Sequence, residues 1–314
     1  MASQHRIIRP KFTTYADGCE AVLTMHEIVG EADGPTVGIS GAIHGNEPTG
    51  TEIILDLYRT IKNMRIKGRL LLLPVANPRA FAANRRCTPT DDLNLNREFP
   101  GDAKGTYTQQ LAAAITGEFL EKIDVHIDFH SGTDRPTVDY VYIWSDEALS
   151  RSFGSKVLFR PMAGKEGTVY AGTTKAVTLD RRNIPVVVVE LGGGIVDQKP
   201  YVERGLAGAL NMLRQLGVIE GEVVPPPPQV VVRSIAGVRP TQAGLIENLA
   251  PPLGERIRGR APIFRVISPY TFEVLQEVAS PYENGIMIMG HLGRNLVESG
   301  DYGYMIGDLE GAET

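Results

Sequence analysis

The 314-residue sequence has little cysteine, a single tryptophan and no apolar run of membrane-spanning length. Cys19 and Cys87 are too few to build a disulfide framework, which fits a reducing compartment. No stretch approaches the ~20 apolar residues that a spanning helix needs. Met1 to Lys11 is polar and basic without an apolar core, so no secretory leader is expected and the expected location is cytoplasmic. An excess of positive charge is missing too. With 32 Lys and Arg against 37 Asp and Glu, the net charge is −5 and the signs are interspersed, which argues against nucleic acid as a partner. The glycine-rich stretch Gly164 to Thr174 lacks a phosphate-loop spacing, so no nucleotide is assigned to it.

What is present centres on Ser40-Gly41-Ala42-Ile43-His44-Gly45-Asn46-Glu47-Pro48-Thr49-Gly50. The preceding Thr36 to Ser40 is short, apolar and β-branched, as in a buried strand. The following Thr51 to Asn63 repeats Ile54, Leu55, Leu57, Tyr58 and Ile61 at helical spacing. His44 and Glu47 therefore stand on a strand-to-helix turn. Positions i and i+3 share one side of a helical turn, so the imidazole and the carboxylate can converge on one ion. Zinc accepts such a pair, with a second histidine and an open fourth position completing a catalytic site.

Further along, Arg69 to Val75 is a continuous apolar run, expected for a strand covered on both faces. The segment from Pro78 to Gly105 is long and irregular and holds Arg79, Arg85, Arg86, Asn94, Asn96 and Arg97. Such segments inside compact domains are usually functional or disordered. An arginine there can hold a carboxylate through paired hydrogen bonds, and another can polarise a carbonyl. Gln109 to Lys122 reads as a helix.

Ile123 to Gly132 alternates strictly and reads as a strand that places Asp124, His126, Asp128 and His130 on one face. At about 3.3 Å per residue, His126 and His130 lie roughly 13 Å apart and cannot share one metal. Open α/β sheets place ligands at the carboxyl ends of their strands, which selects His130. His126 then reads as a packed strand histidine, and Asp128 as an acceptor that can orient a ligand imidazole. Val138 to Trp144 is another strand and Glu147 to Lys156 a helix. Ile184 to Gly194 is the most apolar strand, ending in Glu190 and, after Leu191, three glycines, so this carboxylate faces the same crevice as His130. Tyr201 to Leu216 is an amphipathic helix.

Pro225 to Pro228 forms a stiff connector. Beyond it lie short β runs at Val230–Val232, Ala261–Ile267, Phe272–Leu275 and Gly285–Met289, punctuated by Gly and Pro. The expected division is a catalytic α/β domain over 1–224 and a smaller all-β domain over 225–314. Met287 and Met289 read as core, and His291 as structural.

Taken together, GAIHGNEPTG, NLNREFPG, DFHSG and VVVVELGGG resemble, in this order, the succinylglutamate desuccinylase/aspartoacylase family. The resemblance implies a mixed-sheet, zinc carboxypeptidase-like α/β domain with helices on both faces. It implies that His44, Glu47 and His130 bind one Zn2+ per chain, that Glu190 is the general base and that Asn96 and Arg97 hold the substrate carboxylate. The carbonyl-polarising arginine corresponds to Arg86. Aspartoacylase has an aspartate where Asn94 stands, and Arg181 and Arg182 lie nearest to its additional substrate-binding arginine. The implied activity is a zinc-dependent hydrolase of linear amides, a deacylase acting on a small N-acyl amino acid such as an N-acetyl or N-succinyl derivative. Neither a membrane partner nor nucleic acid is expected, and a homo-oligomer is compatible with the sequence. A metallocarboxypeptidase would use the same parts. A catalytically silent binding module would have no need for Glu190.

Overall fold

The computed structural model describes residues 4–161, 170–293 and 295–313. Its centre is a large mixed sheet whose main path has ten strands. In chain order these are β1 (Gln4–Ile8), β2 (Met25–Val29), β3 (Ala32–Ser40), β4 (Lys67–Leu73), β5 (Val125–His130), β6 (Thr137–Tyr142), β7 (Val186–Gly192), β8 (Ile235–Val238), β9 (Asn284–Gly290) and β10 (Tyr304–Asp308). The spatial order is β1-β2-β4-β3-β5-β7-β6-β9-β10-β8. β4, β3, β5 and β7 run parallel to one another, and the flanking pairs on the path are antiparallel.

The parallel centre is apolar because both of its faces are covered. Along β4, Leu70 and Leu72 belong to a core that includes Ile53 and Leu57 of α1 (Thr49–Ile61). Leu71 and Leu73 belong to a second core with Leu111 and Ile115 of α2 (Tyr107–Glu118). Successive leucines thus point to opposite faces, as the strand period requires. A third long helix, α3 (Lys199–Gln215), adds Val202, Ala209 and Met212 to the core beneath α1. α1 begins two residues earlier than its apolar repeat suggests, because Pro48 starts the turn and Thr49 and Gly50 are already helical.

Past the proline connector the described chain is β structure throughout. It divides between two sheets. Four strands, Gly244–Asn248, Pro262–Ile267, Val274–Ala279 and Asn295–Val297, form a separate antiparallel sheet. Others extend the central sheet: Met289 and Gly290 of β9 pair with Val138 and Thr137 of β6. An uncovered β6 would leave a row of unpaired backbone groups, and β9 supplies their partners. Among the described residues no helix is long and apolar enough to cross a membrane.

Candidate metal centre and active site

The carboxyl ends of β3, β5 and β7 open into one crevice, at the point where the chain leaves β3 for β4 on one side and later returns to β5 on the other. After β3 the backbone turns sharply, with Ala42 at φ 50°, a left-handed conformation uncommon for any residue that carries a Cβ. Gly45 cannot be replaced without movement, since a Cβ there would lie 1.9 Å from the Ala80 carbonyl carbon. The turn thereby packs against the segment 78–82 and leaves His44 and Glu47 buried and facing His130 from the end of β5.

The ligand atoms of His44, Glu47 and His130 lie within 4.8 Å of one another, and the three can hold a metal ion. His44 Nδ1 is 2.9 Å from Glu47 Oε1, and His130 Nδ1 is 3.0 Å from Glu47 Oε2. On its far side His44 Nε2 contacts Asn94 Oδ1 at 3.1 Å, an acceptor that fixes the proton on Nε2 and turns the Nδ1 lone pair inward. Asn94 thus offers the same acceptor oxygen as an aspartate would. His130 Nε2 lies 3.4 Å from Asp128 Oδ2, and Asp128 in turn accepts hydrogen bonds from Ser40 Oγ at 2.6 Å and Thr174 Oγ1 at 2.8 Å. Asp128 therefore stands beside His130. His126, fully buried, contacts Ser40 Oγ at 2.8 Å and stacks edge-on against Phe119, away from the cluster.

The donor set fits a cation. His44 Nδ1 is buried and has no hydrogen-bond partner although a carboxylate oxygen is close by, the geometry expected where both would face a common ion. Two carboxylates, Glu47 and Asp128, are almost fully enclosed. Burial alone would raise their pKa values, yet the neighbouring histidines hold both well below the usual carboxylate range. Burial likewise opposes protonation of His130, but Asp128 and Glu47 outweigh it and hold that imidazole well above its usual range. Buried negative charge here calls for a positive partner.

Glu190 sits directly opposite His130 in the parallel register of β7 and β5. Enclosure pushes its carboxyl up to about 8; Glu47 and Asp128 add to this, and His130 and Arg86 pull against it. The three following glycines, Gly192 to Gly194, all have φ between 77° and 83°, and a Cβ on Gly193 would lie 2.0 Å from the Gly132 carbonyl oxygen. They are there to turn the chain tightly against the loop after β5.

Arg86 reaches Glu47 Oε1 at 2.8 Å and lines the cavity, whereas Arg85 pairs with Asp92 in solvent at 3.1 Å. Asn96 and Arg97 follow on a short 3-10 turn, Leu95–Arg97, and both line the same cavity. Asn96 Oδ1 accepts from the Thr174 backbone at 3.3 Å, and the exposed Arg97 donates to the Asn96 carbonyl at 2.6 Å. Arg181 is exposed, and Arg182 donates to the carbonyls of Leu120 and Ile123, so neither lines the cavity. The cavity measures about 270 Å³, room for a small molecule. Residues not singled out from the sequence complete its wall: Tyr140, Tyr142, Trp144, Tyr170, Thr174 and Lys175. The alternation of Val138 to Trp144 carried the signal for three of them, since positions 140, 142 and 144 share a face. Of the glycine-rich stretch, 164–169 lie outside the described residues. His291 is structural, buried between the Tyr302 carbonyl and Asn295. Met287 is buried core, and Met289 is buried but also reaches the cavity wall.

Residues 33–216 match the succinylglutamate desuccinylase/aspartoacylase catalytic domain. The chain belongs to this family. A relative, the N-alpha-acetyl-L-2,4-diaminobutyric acid deacetylase of Halomonas elongata, is 29% identical over 277 residues, 84% of this chain and 79% of the relative. A succinylglutamate desuccinylase from Silicibacter sp. superposes with a TM-score of 0.83 at 26% identity, covering 98% of this chain and 95% of that one. The product-bound ectoine utilization protein EutE (DoeB) of Ruegeria pomeroyi shares the fold, with a TM-score of 0.82 at 24% identity over 98% and 96% of the two chains. The candidate metal-binding cluster lies inside the matched region, and the far wall of the cavity, with Met289, Tyr302 and Met305, lies beyond it.

Proposed function

We propose that this family member is a zinc-dependent amidohydrolase that releases a free amino acid from an N-acyl amino acid. The observation that carries the reading is Glu190: a carboxylate opposite His130, on the cavity, that the cluster does not use as a ligand. His44, Glu47 and His130 would hold one zinc ion per chain, as in the zinc carboxypeptidase-like fold. When bound, zinc supplies Lewis acidity, polarising a carbonyl and lowering the pKa of a water. Glu190 takes the proton of the attacking water and delivers it to the leaving amine, a role suited to a carboxyl whose surroundings raise its affinity for protons. Arg86, anchored on Glu47, presents its guanidinium to the oxyanion. Asn96 and Arg97 hold the substrate carboxylate at the cavity wall. The catalytic part spans 1–224, and 225–314 is the smaller β part that supplies the distal wall. The family name and the Halomonas relative's activity support deacylation of a small substrate.

The test is a panel of N-acetyl and N-succinyl amino acids beside C-terminal dipeptides, assayed with zinc-loaded protein whose metal content is measured. The expected result is about one zinc per chain and turnover of N-acyl amino acids. Turnover of dipeptides alone would make the protein a metallocarboxypeptidase. Zinc binding with no turnover of either class would leave a binding module.

A further inference from the structure

Cross-strand partners in a sheet present their side chains to the same face, so register traces what lies beside what. Starting from the metal end, His130 pairs with Glu190, and Glu190 pairs with Tyr140. On that strand Val138, two residues before Tyr140, pairs with Met289. Met289 pairs with Met305, and Met305 with Gly237. One face of the sheet thus runs from imidazole and carboxylate through tyrosine to two methionines and a glycine.

A second chamber of about 280 Å³ lies at the methionine end. It shares Tyr142, Tyr170, Met289, Tyr302 and Met305 with the catalytic cavity. Phe159 and Ile235 extend its wall, and no carboxylate lines it among the described residues. Its charged residue, Arg239, is exposed at the rim, stacked 4.8 Å over the Tyr302 ring and donating to the Gly300 carbonyl. In the catalytic cavity the Trp144 ring already carries the Lys175 ammonium at 4.7 Å, itself bonded to Asp180. These cations cover the Trp144 and Tyr302 faces, which would otherwise attract a positively charged substituent. The lining acids, Glu47, Asp128 and Glu190, all stand at the metal end. What remains of the chamber wall is the rings of Tyr142, Phe159 and Tyr170, the two thioethers, Ile235 and Val238, a surface on which apolar groups can pack.

We propose that the second chamber continues the substrate site and takes a bulky apolar substituent, aliphatic or aromatic, carried on either side of the scissile amide. This rests on the deacylase reading above and narrows it: the preferred substrates are N-acyl amino acids with a large apolar acyl group or side chain, in preference to acetyl or succinyl derivatives of small or charged amino acids.

Two substrate series separate the sources: acetyl to octanoyl on glycine, and N-acetyl derivatives of alanine, leucine and phenylalanine. In at least one series kcat/KM should climb with apolar size, by up to roughly fourfold per buried methylene. Gly237→Phe should block the chamber, because a Cβ at that position meets nothing within 4 Å and so has open space to grow into. The preference for the largest over the smallest substrate of the responsive series should then fall at least tenfold. A binding readout needs no turnover. Trp144 is the protein's one tryptophan and lines the cavity, so its emission reports ligands directly. Octanoate and phenylacetate should shift it at lower concentration than acetate, and less so in a folded Gly237→Phe variant. Cleavage of acetyl substrates with no gain in either series, or an unchanged preference in Gly237→Phe, would overturn the proposal. A size-dependent Trp144 response without hydrolysis of any N-acyl amino acid would uphold the chamber and remove the deacylase reading instead.

Discussion

At the end of the cavity that holds the candidate metal ligands, both histidines are fixed by partners behind them: Asn94 behind His44, Asp128 behind His130, and Ser40 and Thr174 behind Asp128. At the distal end the wall is built mainly of aromatic rings, methionines and aliphatic side chains whose positions follow from strand register and packing. The first arrangement sets atoms within hydrogen-bond reach, as chemistry requires. The second sets only shape and polarity, which is enough to sort substrates. Substitutions should therefore act sharply at one end and gradually at the other.

The largest effect belongs to His130→Ala, which should lose the metal and all activity, while His126→Ala keeps both, since His126 lies behind Ser40 and outside the cluster. Elemental analysis of the two purified variants decides it; metal retained in His130→Ala would refute the cluster. Glu190→Gln comes next. It keeps shape and hydrogen bonding but cannot take a proton, so metal content should stay while kcat falls by at least about two orders of magnitude. A kcat close to that of the parent would show that Glu190 merely ends a strand.

Asp128→Asn probes how firmly the metal end is pinned. Partners that orient ligand histidines are typically worth about 10- to 100-fold in metal affinity or activity. A chelator competition should show metal affinity reduced within that range; no change would mean that His130 is oriented by Glu47 and packing alone. Arg97 is exposed and stands further out. Arg97→Ala should raise KM by roughly 5- to 30-fold, the loss of about 1–2 kcal/mol from a solvated charge-assisted hydrogen bond, with a smaller change in kcat. An unaltered KM would place the substrate carboxylate elsewhere.

The same contrast explains what could be read from the sequence. His44, Glu47, His130 and Glu190 sit at strand ends beside glycines and prolines, and local spacing reveals such positions. The rise along the strand set His126, four residues back on the same face, too far from His130 to share its ion, and the position at the strand's carboxyl end selected His130. The distal wall joins residues 138, 237, 289 and 305, and nothing local announces that β9 will cover the open edge of β6. Short β runs past the proline connector were legible; their division between a separate sheet and an extension of the central one depends on long-range pairing. The irregular segment 78–105 showed its arginines but not which one turns inward.

That choice includes the smallest expected effect, that of Arg85→Ala, and the contrast is a sharp one because Arg85 and Arg86 are neighbours in the chain. Arg85 pairs with Asp92 where both side chains are more than half exposed, at 55% and 74%. Exposed pairs of this kind are worth well under about 1 kcal/mol. Arg85→Ala should thus leave kcat and KM within about twofold of the parent and barely shift the melting temperature. Arg86 instead donates to a carboxylate that is 3% exposed, beside the cluster and on the cavity wall. Removing a single donor to a developing oxyanion typically costs about 10²- to 10³-fold in kcat, so Arg86→Ala should fall in that range with the fold intact. Steady-state kinetics on the two variants, prepared side by side, read the difference directly. If Arg85→Ala were the damaging one, the loop between Pro78 and Gly105 would have to close differently over substrate, and the assignment of the oxyanion partner would pass to Arg85.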